Sequence, residues 1–215
     1  MTQPASIHMG HGQMVDIVTV GPDAWELVFS EAGVADYKAP PLAEVEVDAI
    51  DASGRIHPLA VSAGSNGSRV KASGHVAGAY RTRVRVLHGD HFHTRESLLP
   101  GASALAPTPG PNGGALARFD DGLDVELSWI DPTRWRLTFL RDGKPASAPA
   151  HAAVVAQAVG PRAEDYQIRN LATEPGPDGE TLIAGGKIKD AVFARLTLKG
   201  AAGEQIRSIP IVPAA

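Results

Sequence analysis

The sequence predicts an all-β protein of two tandem immunoglobulin-like β-sandwich domains, joined by a linker rich in proline, glycine and alanine. Short apolar or alternating runs, separated by turn residues, recur along the whole chain. Glycine (23) and proline (17) are frequent, aromatic residues make up 5%, and no stretch keeps a convincing helical period. With 215 residues, 43% of them apolar, the chain is long enough for two domains that each bury a core.

In the first half, two alternating segments are the clearest strands. Residues 44–48 (EVEVD) and 81–86 (RTRVRV) alternate valines with charged or polar residues, which places the valines inward and the charges outward. The predicted strands of this half are residues 15–20, 25–29, 43–50, 59–62, 70–72, 80–87 and 92–98.

In the second half, Trp135, Leu137 and Phe139 share one face of a predicted strand, because side chains two apart point to the same side. The predicted strands of this half are residues 116–119, 124–129, 134–140, 152–158, 166–168, 181–184, 193–198 and 205–211.

Residues 99–114 (LPGASALAPTPGPNGG) carry no charge and are predicted to be a linker stiffened by proline. They separate predicted domains at residues 8–100 and 113–213, which resemble each other weakly. Trp25-Glu26-Leu27 aligns with Val125-Glu126-Leu127, and residues 80–100 align with 193–213. We expect both glutamates to face solvent, as glutamates in strands usually do.

Composition and charge exclude several functions. The chain has no cysteine, which excludes disulfides, thiolate metal sites and thiol catalysis. The net charge of −4 and the lack of a basic patch with interleaved aromatic residues argue against nucleic-acid binding. No run of about 18 apolar residues is present, so no membrane insertion is predicted.

Five of the eight histidines fall in two short clusters. The first is His8-Met9-Gly10-His11, followed closely by Met14, and the second is His88-Gly-Asp-His91-Phe-His93. Imidazole and thioether together are the ligand set expected for copper, and imidazole alone also suits zinc. The clusters therefore point to metal binding rather than to a catalytic centre.

The second cluster is predicted to lie at the tip of a β-hairpin, and its sequence allows two registers. A two-residue turn at Gly89-Asp90 places His88 directly opposite His91, close enough to share one ion. That register turns His91 and His93 toward the face of the core valines. A longer loop with a bulge turns them outward instead, and in either register they project to the same side.

We predict one metal site in the first domain, provided that the first strand lies beside this hairpin. Its predicted ligands are His8, Met9, His11, His88, His91 and His93, with Met14 as an alternative soft ligand. Imidazole must be neutral to bind, so affinity should weaken below about pH 6.5. The second half has no histidine at the corresponding places, so it is expected to be structural or partner-binding.

Of the remaining histidines, His57 and His75 are expected to be isolated and solvated, and His151 is expected to have no functional role. No Ser-His-Asp order with a nucleophile elbow occurs, and residues 64–68 (GSNGS) form a turn rather than a phosphate loop. Residues 120–124 (DDGLD) lack the oxygen spacing of a calcium loop. We therefore expect that the protein is not an enzyme.

Three segments resemble small periplasmic modules of bacterial heavy-metal resistance, which occur alone or attached to the adaptor subunits of efflux systems. The segments are His8-Met9-Gly10-His11-Gly12, Trp25-Glu26-Leu27-Val28 and His88-Gly-Asp-His91-Phe-His93. The resemblance covers the first half and, more faintly, the second. It implies an extracytoplasmic metal-binding or metal-delivery protein and nominates His8, His11, His91 and His93 as ligands.

From the sequence we therefore hypothesise that the chain binds a metal ion, with copper as the first choice and zinc as the second. It would serve in metal resistance, storage or delivery to an efflux transporter or adaptor. One alternative is a tandem-sandwich spacer or interaction module without metal, and another is an enzyme with an open metal position. The N-terminus lacks a signal peptide, so the chain is either cytoplasmic or a mature form with an added methionine. The resemblance favours the second, a periplasmic protein.

Overall fold

The structure is a computed structural model that describes residues 5–99, 106–162, 165–200 and 203–211. These residues form antiparallel β-strands together with two short 3-10 helices, Leu42–Glu44 and His151–Ala153. Within them, no helix has the length and apolar character needed to cross a membrane. The prediction of an all-β fold is confirmed.

The described residues divide into two compact units, the first built mostly from residues 5–99 and the second mostly from residues 106 onward. In the first unit the strands pair in the order β1-β2-β3-β6-β5-β4-β7-β8. Their bounds are β1 Ala5–Gly10, β2 Gln13–Gly21, β3 Ala24–Glu31, β4 Val45–Asp51, β5 Ile56–Ala63, β6 Arg69–Ser73, β7 Ala79–His88 and β8 His91–Leu98.

Strand β5 connects the two faces of this unit. Its first half, up to Leu59, pairs with β4, and its second half, from Ala60 on, pairs with β6. The inward side chains form one core that includes Val15, Leu27 and Val84, each fully buried. Alternation in β1 and in the second half of β7 supplies part of this core because every second side chain points inward.

The second unit has a six-stranded sheet, in which β15-β16-β11-β10-β9 follow one another and β12 pairs with β11, and a four-stranded sheet of order β14-β13-β17-β18. The bounds are β9 Ala115–Arg118, β10 Leu123–Asp131, β11 Arg134–Arg141, β12 Lys144–Pro145, β13 Val154–Arg162, β14 Asp165–Asn170, β15 Ala172–Pro175, β16 Thr181–Gly185, β17 Phe193–Gly200 and β18 Gly203–Pro210. Trp135, Leu137 and Phe139 face its core as predicted, each 0% exposed.

The strands of the two units follow the same order when β14 and β15 together are matched with β5, so that β1, β2 and β3 correspond to β9, β10 and β11. This order corrects the sequence alignment, because β3 occupies the place of β11 rather than that of β10. Both strands follow a two-residue turn that begins with proline, Pro22 in one and Pro132 in the other. The matching motif is therefore Trp-x-Leu-x-Phe, starting at Trp25 and at Trp135.

Other predictions also need correction. Strands β1, β12 and β15 were missed, and residues 43–44 and 152–153 belong to the 3-10 helices rather than to strands. Residues 100–105 of the predicted linker lie outside the described residues. The later part is a folded loop of the second unit, in which the Gly110 amide donates to the Gly114 carbonyl and Pro109 bridges Ala115.

Candidate metal centre

The β7–β8 hairpin turns at Gly89 and Asp90, and His88 pairs directly with His91. Gly89 has a φ of 66°, which suits the first central position of the type II′ turns that join hairpin strands. The two-residue register is therefore confirmed, and the bulged alternative is wrong.

In this register the three histidines lie on the same face of the hairpin as the core valines, but nearer to the turn. Val86 pairs with His93, and Val84 pairs with Arg95, so these side chains share a face with His88 and His91. The two valines are buried, whereas His93 is half-buried and the other two histidines are exposed. The inward face thus ends in imidazoles at the open end of the first unit.

A second hairpin brings His11 to the same end. His11 and Gly12 form the two-residue turn between β1 and β2, with φ values of 53° and 81°. Positive φ at both positions is typical of a type I′ turn, and histidine tolerates this conformation better than most side chains. A bulge in β1 between His8 and Gly10 precedes the turn.

Arg95 ties the two hairpins together. Its Nε donates to the carbonyl of His8 at 3.1 Å, and its Nη2 donates to the carbonyl of Met9 at 3.5 Å. Strand β1 therefore lies beside β8, whereas the predicted first strand, residues 15–20, is part of β2 and lies one strand further from β8. Arg95 was not among the residues predicted for the site.

Four imidazoles, which we name the histidine cluster, meet at this end: His11, His88, His91 and His93. Their ring centroids lie 5.0 Å apart for His91–His93, 5.5 Å for His88–His93, 5.7 Å for His11–His88, 5.8 Å for His11–His93 and 6.5 Å for His88–His91. Bonds of about 2.1 Å to one tetrahedral zinc would place two ring centroids about 5 Å apart. The His91–His93 separation matches this value, and the other four separations exceed it.

The surroundings of His93 favour a neutral ring that can donate a lone pair. Burial lowers the pKa of His93, and the nearby His91, Arg95, His88 and His11 lower it further. Its Nε2 atom is buried and has no hydrogen-bond partner among the described residues. An unpartnered buried nitrogen is costly unless something fills the position.

His91 is oriented by its neighbour Asp90. Its Nδ1 lies 3.1 Å from the Asp90 Oδ1, and this contact is the main cause that lowers the pKa of Asp90. A neutral imidazole that donates from Nδ1 to a carboxylate keeps its lone pair on Nε2, as metal-bound histidines commonly do. Both side chains are largely exposed, so the contact orients the ring only weakly.

Within the described ranges, no three histidine or carboxylate side chains are already arranged to hold a metal ion. The histidine cluster is therefore close in ring separation but not closed around one point. Because His11, His88 and His91 are exposed, their rings can rotate about the side-chain torsions without disturbing the core.

The other predicted ligands lie elsewhere. Met9 faces inward from β1 and is 2% exposed, so its thioether belongs to the hydrophobic core rather than to the cluster. His8 lies on the exposed, outward side of β1, and Met14 is its cross-strand partner on that same side. Alternation along β1 explains the difference, because adjacent residues point to opposite faces.

The second unit has the same strand pairing at the equivalent hairpin, but without histidines. Gly200 pairs with Gly203 as His88 pairs with His91, and Leu198 pairs with Gln205 as Val86 pairs with His93. Arg207 donates from Nε to the Arg118 carbonyl at 2.6 Å, as Arg95 does to His8. The fold thus forms this end without any imidazole.

Two glutamates expected to face solvent are buried instead, Glu26 being 8% exposed and Glu126 1%. Glu126 accepts hydrogen bonds from the backbone amides of Asn112 and Gly114. Glu26 accepts one from the amide of Ser65, which is the main cause that lowers its pKa. Each carboxylate holds a loop, a role that alternation along a strand does not reveal.

The expectation that His57 and His75 are isolated is also wrong. Their ring centroids lie 4.4 Å apart, and the Nε2 atom of His57 lies 2.8 Å from the Asp51 carboxylate. His151 lies in its 3-10 helix and is exposed.

The lowered pKa of His93 predicts how the metal-free protein responds to acid. Between the folded pKa and the unfolded value of about 6.5, the unfolded chain binds more protons, so stability rises with pH through that window. We expect the urea midpoint in chelator to fall between pH 7.5 and pH 5.5, and to fall less in His93→Gln. An equal fall in both proteins would contradict the assigned environment of His93.

Comparisons with known proteins add little. No family model matches the chain, and no curated protein matches it. Among solved structures, it is similar to a crystal structure of pullulanase complexed with maltotriose from Anoxybacillus sp. LM18-11, with a TM-score of 0.26 and 12% identity. The match covers 93% of this chain, and the chain spans only 28% of that one. A likeness this slight assigns neither a fold family nor a function.

Proposed function

We propose that this chain binds one transition-metal ion through the histidine cluster and serves in metal resistance, storage or delivery. The observation that carries the proposal is the convergence of His11 with His88, His91 and His93 at ring separations of 5.0–6.5 Å. The second unit supports it, because the equivalent positions hold Gly200, Gly203 and Gln205 in the same strand pairing.

The donor set favours a divalent ion. With Met9 in the core, the ligands are imidazoles alone, which suit Cu(II), Zn(II) and Ni(II), whereas Cu(I) favours thioether or thiolate ligands. Among divalent ions, copper generally binds such sites most tightly, so copper remains the first choice and zinc the second. The ion is carried rather than used to convert a substrate, so the protein is not an enzyme.

The proposed setting is extracytoplasmic. Each unit is proposed to be an immunoglobulin-like sandwich. The absence of cysteine suits a protein that handles metal in an oxidising compartment, where a free thiol would be oxidised. The resemblance to heavy-metal resistance modules favours the periplasm, where the chain would hand its ion to an efflux transporter or adaptor. On this proposal the first unit holds the ion, and the second is structural or contacts the partner.

The alternative is a tandem-sandwich spacer that binds no metal. It is favoured by the absence, among the described side chains, of three donors already arranged around an ion. The two proposals differ in one measurable quantity, the number of ions that each chain retains.

Equilibrium dialysis against Cu(II), Zn(II) and Ni(II) measures that number. We expect one tightly held ion per chain, and we expect His91→Ala/His93→Ala to weaken its binding by more than about 100-fold, since two donors are lost. His151→Ala is the matched control, because this histidine lies in the second unit and is exposed.

Either of two results would reject the proposal. Dialysis that leaves no ion on the wild-type chain would favour the spacer. Tight binding that survives in the double variant would place the ion elsewhere.

A further inference from the structure

We propose a second, weaker cation site in the first unit, formed by Asp51, His57 and His75. It is distinct from the histidine cluster, because its residues lie at the end of β4, on β5 and in the turn between β6 and β7. The proposal does not depend on the proposed function, since no residue is shared.

The two rings are close enough to bind one ion side by side. Their centroids lie 4.4 Å apart with an angle of 41° between the ring planes. Two imidazoles bound at a right angle to a metal, through bonds of about 2.1 Å, have ring centroids about 4.5 Å apart. The separation in the structure therefore needs little change on binding.

Asp51 completes the ligand set or orients it. Its Oδ2 lies 2.8 Å from the Nε2 of His57, and both side chains are about one-fifth exposed, at 22% and 18%. A neutral His57 that donates from Nε2 keeps its lone pair on Nδ1, as in carboxylate–histidine–metal arrangements. Two imidazoles with one carboxylate suit Zn(II), Co(II), Ni(II) or Fe(II).

The backbone around His75 is held in place. The Gly74 amide donates to the Asp23 carbonyl, and the Ala79 amide donates to the Val76 carbonyl. Val76 is 7% exposed and belongs to the core, so the turn is anchored on the side after His75. His75 itself is exposed, which leaves the site open to ions from solution.

The site is expected to be the weaker of the two because it offers at most two imidazoles and one carboxylate. The three side chains do not yet point at a common position for an ion, so binding requires rotation of at least one ring. His75 has room to rotate on its solvent side, since the residue is exposed.

The test is Zn(II) dialysis of the His91→Ala/His93→Ala variant, which lacks the first site. We expect this variant to retain one weakly held ion per chain, and we expect addition of His75→Ala to remove that ion. His151→Ala in the same background is the matched control. Far-UV circular dichroism and urea unfolding confirm that each variant is folded.

In wild-type protein, His75→Ala should remove the weak ion and leave the tight one. If the double variant binds no Zn(II), or if its ion survives His75→Ala, the second site is refuted and the proposed function stands. If wild-type protein loses its tight ion through His75→Ala alone, the proposed function fails and this site is the main one.

Discussion

Replacing Glu126 with alanine is expected to lower the free energy of unfolding by about 3 kcal/mol. The carboxylate is 1% exposed and accepts from the Asn112 amide, the Asn112 side chain and the Gly114 amide at 2.7–2.9 Å. Removing it leaves the part-buried donors of Asn112 and Gly114 without their charged acceptor, and a hydrogen bond to a charged group contributes about 1.5–3 kcal/mol. Urea unfolding of the two proteins measures the difference.

Glu26→Ala is the matched comparison and is expected to cost less, about 1–2 kcal/mol. Glu26 accepts one backbone amide, from Ser65, and its other partner, Arg69, is one-third exposed at 33%. Glu126→Gln, which keeps one acceptor oxygen, should fall between wild type and Glu126→Ala. A loss below about 0.5 kcal/mol in Glu126→Ala, the range of ordinary surface changes, would contradict the loop-holding role.

The second large effect is stabilisation by the bound ion. Zn(II) at 100 times its dissociation constant should add about 2.7 kcal/mol to the free energy of unfolding. The gain arises because the folded chain assembles the histidine cluster and the unfolded chain does not. We expect His91→Ala/His93→Ala to lose most of this gain, measured as the shift in urea midpoint on adding Zn(II).

Two controls separate this effect from nonspecific binding. His151→Ala should keep the full gain, because it leaves the first unit untouched. Without metal, the double variant should unfold at nearly the wild-type midpoint, since His91 is exposed and His93 only half-buried. Equal stabilisation of wild type and double variant by Zn(II) would place the stabilising ion outside the cluster.

Strand positions were predictable because alternation reports directly on burial. The runs around Val47, Val84 and Leu137 predicted strands whose inward residues the structure buries. Strand β1 escaped notice because His8 and Met9 were interpreted as ligands, although Ala5, Ile7 and Met9 alternate inward. The same residues fit both a metal-ligand motif and an alternating strand, and the alternation correctly predicts that Met9 is buried in the core.

The candidate site was only partly predictable, because it depends on which strands become neighbours. Nothing within the β7–β8 segment chooses between registers apart from the turn, where Gly89 accepts a positive φ. The contact between β1 and β8 joins residues far apart in sequence through Arg95. Arg207 repeats this contact in the second unit, so a correct alignment of the two halves would have revealed it.

The sequence alignment of the two halves was wrong for a physical reason. Glu26 and Glu126 have similar neighbours in sequence, but their strands occupy different places in the two sheets. The Trp-x-Leu-x-Phe motifs at Trp25 and Trp135 are the better guide, because buried aromatic residues must match the core around them.

The proposed metal site requires that His11, His88, His91 and His93 bind one ion together. Imidazole nitrogen–proton correlation spectra, recorded as Zn(II) is added to one equivalent per chain, test it most directly. We expect the signals of these four rings to change together and reach saturation, while those of His151 stay unchanged. Signals of the four rings that stay unchanged at one equivalent, or that shift only as His151 does, would contradict it.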